Sequence, residues 1–365
     1  MPRPIYASFD LSAFGHNLAV ARCHAPGARI WAVLKANAYG HALTRAAHNM
    51  TSADGYALLD LAEAVWLRAA GVSKPILLLE GCFSAADLVE ALRHQLTVVV
   101  HNEAQVRMLE QAAPGAPLEV YLKINSGMNR LGFALDATAA VFTRLRACEA
   151  VSRITLMSHF ADADGPTGID WQLAGLAVAT AGIDAPRSFS NSAATLRFPV
   201  AHADWVRPGI MLYGCSPFAD QSAEALGLRP VMTLGSELIG VQQLRAGDTA
   251  GYGRIFTADR PMRIGVVACG YADGYPRHAP GGTPVLVDGR RTTTVGRVSM
   301  DMLCVSLEAL PDAAVGTPVT LWGRGLSADE VAAGCGTVSY ELLCALAARV
   351  PQIEINPGGN GNGQT

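Results

Sequence analysis

The sequence has no apolar run of the ~18–20 residues needed to cross a bilayer. Its apolar stretches, such as Ile76 to Leu79 and Ile264 to Ala268, are short and bounded by turn residues or charges, as in buried strands. It also lacks any Cys-x-x-Cys pair. Its eight cysteines are scattered from Cys23 to Cys344, which suggests neither a zinc site nor a disulfide framework and fits a reducing cytoplasm. No basic region followed by an apolar core opens the chain, so Met1 to Asp10 does not read as a secretory signal. Charge of either sign is sparse: 16% of residues are charged and the net charge is −3, which gives no footprint for a nucleic-acid partner. Nor does a Gly-x-Gly-x-x-Gly follow an early strand, which leaves a dinucleotide-binding sheet unsupported. The His-x-His expected of a metal-dependent barrel hydrolase is missing after the first strand, and no metal site is expected.

What is present is core material. Half of the 365 residues are hydrophobic, enough for about two domains at the usual domain size. Up to about Leu226, short apolar runs alternate with helical patterns. Ile30 to Leu34 precedes a helix over Ala42 to Met50, and Tyr56 to Leu59 precedes one over Leu61 to Ala70 with Asp60 as cap. Ile76 to Leu79 precedes Ser84 to His94, and Thr97 to Val100 precedes Glu103 to Ala112 with Asn102 as cap. Leu118 to Ile124 and Ile154 to Met157 precede helices over about Ala137 to Glu149 and Ile169 to Ala181. Shorter strands fall near Ser188 and Trp205. Repeated strand–helix units imply parallel strands covered by helices, and about eight of them match the arithmetic of a (β/α)8 TIM-type barrel. A doubly wound open sheet is the competitor that periodicity does not separate.

Beyond about Leu228 the pattern turns to strands: Val231 to Leu244, Met262 to Ala268, Pro284 to Val287, Arg291 to Val298, Met302 to Leu307 and Pro318 to Leu321. Asp288-Gly289 reads as a tight turn between two of them. Short helices over Ser327 to Ala333 and Ser339 to Ala348 interrupt this part. The expected organisation is a barrel over residues 1–227 and a smaller β-rich C-terminal domain over 228–365. Ile5 to Phe9 alternates like a strand and is a candidate for the second part. The Gly-Asn tail from Pro357 is expected to be disordered.

In a parallel barrel, chemistry sits just past the C-terminal ends of the strands. Those positions hold Lys35, Arg130, His159, Ser190 to Ser192 and Arg207 to Ile210, a cationic rim suited to an anionic ligand. Each residue alone is equally readable as an ordinary strand-end polar group. Lys35 follows Trp31-Ala-Val-Leu, so its stem leaves a buried strand. Partial desolvation lowers an amine's pKa and favours the nucleophile that an aldehyde cofactor requires. An ion pair with Asp60 or Glu80 would explain the same lysine. Asn191-Ser192-Ala and Arg207-Pro-Gly209-Ile210 supply the helix start and glycine turn that hold phosphates, and equally suit a simple cap and a simple turn. In the second part, Gly251-Tyr252-Gly253-Arg254 sets a tyrosine between glycines, where a turn is the plain alternative.

Taken together, these strings resemble alanine racemase, the barrel-type enzyme that uses pyridoxal 5'-phosphate (PLP). The resemblance runs from Ala32-Val-Leu-Lys35-Ala-Asn-Ala-Tyr39-Gly40-His41 through Asn125-Ser-Gly-Met-Asn-Arg130-Leu-Gly, Asn191-Ser192-Ala, Arg207-Pro-Gly209-Ile210-Met-Leu-Tyr213-Gly, Gly251-Tyr252-Gly253 and Met300-Asp301 to Arg349-Val-Pro351. It implies that Lys35 carries PLP and serves as one base. Tyr252, supplied by the partner in a homodimer, would be the opposite base. Arg207 is similar to the arginine at the pyridine nitrogen, with His159 supporting it. Tyr39, Ser192 with its neighbour Asn191, Gly209, Ile210 and Tyr340 resemble the residues around the phosphate. Arg130 would lie near the cofactor phenolic oxygen and the substrate carboxylate, Met300 with Asp301 behind it would bind that carboxylate across the interface, and Tyr271 would narrow the entry. Lys123 stands where family members can carry a carbamylated lysine. The small pocket this implies favours alanine, with serine weaker. Wall-precursor supply and D-alanine catabolism both remain open as roles. A PLP-binding carrier resembles the barrel alone, and a barrel decarboxylase would bring a larger β domain and a cysteine–acid motif not found here. One departure stands out: Ala42 follows His41 where the family more often has glycine.

Overall fold

The structure is a computed structural model, and it describes residues 3–112, 115 and 117–356. The tail from Pro357, expected to be disordered, lies outside the described residues. Eight short strands run parallel, each hydrogen-bonded to the next, in the order Arg187–Ser188, Val151–Met157, Leu118–Lys123, Thr97–Val100, Ile76–Leu78, Gly55–Leu58, Arg29–Val33 and Trp205–Val206. The ends of this row meet. Asp204 N–H donates to Arg187 O at 3.2 Å and Arg207 N–H to Ser190 O at 2.9 Å. Strands such as Ile76–Leu78 and Thr97–Val100 are buried at every position, because helices cover one face and barrel packing the other. The helices start where short polar side chains hold the first free N–H groups: Asp60 on Ala62, Ser84 in a reciprocal box with Asp87, and Asn102 on Gln105.

The pleat decides what points inward. Alternate residues face the barrel axis, so Trp31 reaches the Tyr121 hydroxyl four strands away at 2.8 Å and stacks on Trp205 at 4.5 Å. This aromatic layer plugs the barrel below its mouth. Two and four residues further on, the same faces present Val33 and Lys35, Lys123, and Arg207 with Gly209.

Eight of the remaining strands form a second sheet in the order Met262–Val267, Leu303–Ser306, Arg290–Val295, Pro284–Val287, Pro318–Trp322, Met232–Leu244, Ile5–Asp10 and Gln352–Ile355, and Thr249–Ala250 with Phe256–Thr257 stands apart as a two-stranded hairpin. Met232–Leu244 shifts register between Leu238 and Gly240, and its far half pairs back onto Met262–Val267. Asp288 and Gly289 both take positive φ, as a two-residue hairpin turn requires. The opening strand Ile5–Asp10 belongs to this sheet, and the helix Leu11–His24 that follows it packs against the segment Ile210–Tyr213 on the barrel. Sequence reading passed over three elements: Leu11–His24, the terminal strand Gln352–Ile355, and the hairpin of Thr249–Ala250 with Phe256–Thr257. The helix hides because its buried stripe contains Asn17, which is spent on Leu212 O, Arg229 O and Arg229 N–H. The two strand elements are only two to four residues long, and all of Gln352–Ile355 is exposed.

Between Arg29–Val33 and the helix Leu43–Asn49, four residues without glycine wind left-handed. Ala36, Asn37, Ala38 and Tyr39 have φ of +52° to +55°, a conformation costing roughly 1–2 kcal/mol each. It is held by Asn37 Oδ1 accepting from Leu43 N–H at 2.9 Å and by the fully buried His41, whose Nδ1 lies 2.8 Å from Tyr39 O. Burial lowers the His41 pKa to about 4, against the smaller upward pull of those carbonyls. An unfolded chain takes up this proton below about 6.5. The folded chain resists it until about 4, so stability is lost as pH falls through that window, by up to ~3 kcal/mol. We expect His41→Asn, which does not titrate, to flatten that slope in urea unfolding between pH 7 and 4.5; an unchanged slope would place its origin elsewhere. Ala42 itself has φ +68° and ψ 121°, a backbone that favours glycine. Ala42→Gly should raise the unfolding free energy by about 1 kcal/mol, and a loss of stability would contradict the strain.

Candidate active site

A cavity of about 500 Å³ opens at the C-terminal ends of the barrel strands. Lys35, Tyr39, Lys123, Arg130, His159, Asn191, Ser192, Arg207, Gly209, Ile210 and Tyr340 all line it. The chain has three lysines in all, and two of them are here. Sequence reading did not use this scarcity, although a count would have shown it. It also did not place two carboxylates in the site, Glu80 and Asp164. Glu80 was within reach of the strand-end rule, since it follows Ile76–Leu78 by two residues.

Arg207 fixes the floor. Its guanidinium is buried, with Nη1 on Ser188 O and on Ser188 Oγ at 2.9 Å, and Nη2 on Ser158 O at 2.6 Å and Phe189 O at 3.3 Å. All of these bonds leave from Nη1 and Nη2, so Nε–H is the donor left over on a side chain that lines the cavity. Burial pushes its pKa down to about 10, still protonated at neutral pH. Ser158 is braced in turn: its hydroxyl meets Ser126 Oγ at 2.7 Å, and the buried Gln172 donates to Ser126 Oγ at 2.7 Å and to His159 O at 3.1 Å.

The basic groups are electrostatically frustrated. Burial, then the Arg130 charge, lowers the pKa of Lys35, while Glu80 gives the smallest of the opposing pulls. Asp60, the other acid considered for Lys35, is occupied as a helix cap. Lys123 is pushed down to about 8 by burial and by Arg207 and Arg130. His159 is held well below its ordinary value by burial and by the same two arginines, so it is a neutral imidazole at pH 7.

One wall is built for close approach. Gly209 N–H donates to Ser192 Oγ at 2.8 Å, and a Cβ on Gly209 would stand 2.6 Å from the Tyr39 hydroxyl. Tyr39 stacks against Tyr213 at 4.6 Å and lies 5.9 Å from Tyr340. Asn191 spends its side-chain oxygen on Ala194 N–H, which fixes the turn that carries Ser192.

Tyr252, Tyr271, Met300 and Asp301 do not line this cavity. Tyr252 is 69% exposed at the tip of the short hairpin, between Gly251 and Gly253 with φ of +75° and +74°. Tyr271 and Met300 are exposed as well. Within one chain, therefore, the cavity has lysines and arginines on its floor and walls while these four side chains stand outside it.

The N-terminal domain model of alanine racemase matches residues 9–217, and the C-terminal domain model matches residues 231–354. The alanine racemase of Ralstonia nicotianae is 57% identical over 98% of this chain and 97% of its own length. The catabolic alanine racemase of Klebsiella aerogenes is 55% identical over 97% of this chain and all of its own. The crystal structure of biosynthetic alanine racemase from Pseudomonas aeruginosa superposes with a TM-score of 0.94 at 49% identity, covering 97% of this chain and 100% of that one. With both domain models matched and relatives aligned nearly end to end, this chain belongs to the alanine racemase family.

Proposed function

We propose that the protein is a PLP-dependent racemase that interconverts L- and D-alanine by two-base proton transfer, acting as a cytoplasmic homodimer with shared active sites. The observation that carries this reading is the pairing of Lys35, an amine of lowered pKa, with the leftover Nε–H of Arg207 in one cationic cavity. The residues present fit PLP. Lys35 supplies the amine for its aldehyde, Arg207 a fixed donor for its ring nitrogen, and Tyr39, Asn191, Ser192, Gly209, Ile210 and Tyr340 the cradle for its phosphate. Bound there, the cofactor supplies the electron sink that makes a substrate Cα proton removable.

The protein's own groups do the rest. Lys35 takes or returns the proton on one face of Cα, the D-alanine side. Tyr252 of a second copy does so on the L-alanine side, each alternating between acid and base. Arg207 does not readily yield its proton, so it leaves the ring nitrogen unprotonated and disfavours transamination, while neutral His159 supports it. Arg130 and Met300, with Asp301 behind it, bind the substrate carboxylate, and Tyr271 narrows the access. The unpaired, scattered cysteines support a reducing compartment. Tyr252→Phe should lower racemisation by ~10²-fold or more while cofactor absorbance is retained; full activity in both directions, by chiral analysis, would overturn the two-base assignment.

Lys123, neutral in good part near pH 8, is the form of an amine that adds carbon dioxide. Its carbamate would turn a cation among cations into an anion facing Arg130 and Arg207. With [13C]bicarbonate, a carbamate resonance should appear in the parent and vanish in Lys123→Met. A resonance that survives the substitution would assign it elsewhere.

A further inference from the structure

The two ends of the described chain meet at one buried carboxylate. Asp273 has no exposed side-chain surface. Arg3 grips both of its oxygens, at 2.6 and 2.9 Å, Arg349 Nε donates to Oδ1 at 2.8 Å, and Gly270 N–H to Oδ2 at 2.9 Å. Arg349 does not stop there. Its Nη2 donates to Asp301 Oδ1 at 2.7 Å, and Arg3 also reaches the Asp301 carbonyl. A guanidinium that bridges two carboxylates in this way fixes both in direction as well as distance.

What is fixed is a pair of loops. Tyr271 N–H donates to Ser299 O and Ala272 N–H to Met300 O, each at 3.0 Å. Gly270 lies so close that a Cβ there would stand 2.4 Å from both Ser299 O and Met300 O. The clamp is anchored from behind. Arg349 is followed by Val350-Pro351 and the strand Gln352–Ile355, which pairs with Ile5–Asp10, and Ala7 N–H donates to Pro351 O at 2.8 Å. A buried charge is costly unless paired, and this one is paired by the arginines that lead into the strands Ile5–Asp10 and Gln352–Ile355. The ionic cluster also sits at the root of the loops that carry Tyr271, Met300 and Asp301, none of which lines this chain's own cavity.

We propose that Arg349 is a positioning residue, bridging Asp273 and Asp301 so that the Tyr271 and Met300–Asp301 loops are aimed into the cavity of a second copy of this chain. The inference rests on the shared-site reading above. Arg349 touches no reacting atom; it acts through Asp301, and it acts on the other subunit.

The test is complementation between differently tagged subunits, isolated as loaded hybrid dimers. Arg349→Gln homodimers should keep the cofactor band and show a KM for alanine raised roughly 10-fold or more with a smaller fall in kcat, and Arg349→Lys should restore part of it. In a hybrid of Arg349→Gln with Lys35→Ala, the only working barrel faces loops from the chain that retains Arg349. That hybrid should return to the parental KM. A KM that stays raised in the hybrid, or one unchanged in the Arg349→Gln homodimer, overturns the proposal. The Tyr252→Phe with Lys35→Ala hybrid separates the two claims. If it is active while the arginine hybrid is not, the shared site stands and the clamp falls; if it is inactive, the shared-site reading itself falls. Should Arg349→Gln not fold, Arg349→Lys, a point charge that cannot fork between Asp273 and Asp301, is read in the same hybrid, where its smaller KM rise should likewise return to the parental value.

Discussion

A guanidinium sealed into the mouth of the barrel is the constraint around which the rest of this molecule is arranged. Arg207 follows the shortest kind of strand, two residues, yet it donates to carbonyls at the ends of two neighbouring strands. Those bonds help close the ring where strand pairing is thinnest. They also place a permanent positive charge in a region of low dielectric, where its field is weakly screened. Burial first, then this charge and that of Arg130, make Lys123 and His159 favour their neutral forms. The same buried cation thus contributes both to the barrel's closure and to the protonation of its floor.

The strained turn after Lys35 follows from the same geometry. A right-handed start to the helix would carry residues 36–39 away along a different path. The left-handed winding lets Tyr39 lie against Tyr213 and beside Gly209, while Lys35 stays over the barrel axis. Nothing in Ala-Asn-Ala-Tyr announces this, because none of the four is glycine, and only Asn is enriched in that region. The cost is met by contacts distant in sequence, including His41 packed edge-on against Phe9 and Phe14.

This separates what was legible from what was not. Strand–helix alternation, the strand-end position of Lys35 and His159, and the caps at Asp60 and Asn102 depend on neighbours in the chain, so periodicity carried them. The hairpin that bears Tyr252 is closed by two-residue strands, and the edge strand Gln352–Ile355 depends on a partner at the other end of the chain, Ile5–Asp10; two to four residues hold too little pattern to reveal either. Glu80 was noticed only as a possible ion-pair partner of Lys35, whereas it lines the cavity beside both lysines. The role of Asp273 was invisible for a related reason: its partners are Arg3 and Arg349, at opposite ends of the described chain.

The division of the molecule into two sheets has a chemical logic on the proposed reading. Every side chain that a parallel barrel aims at its mouth rises from the same side, because the pleat and strand direction are shared. Such a fold can place a base beneath a planar ligand, but it has no strand end above it. A reaction that exchanges protons on both faces of one carbon needs a group delivered from outside the barrel. The β-rich part carries Tyr252 at the exposed tip of its small hairpin and braces Tyr271, Met300 and Asp301 on a buried ionic root, none of them lining their own cavity. Rigidity is required most where a catalytic group must cross a subunit boundary, since a loop misplaced by about 1 Å is enough to cost ~10²-fold. A fully buried carboxylate held by two arginines is a costly way to stabilise a sheet, but it is a direct way to hold loops in one direction.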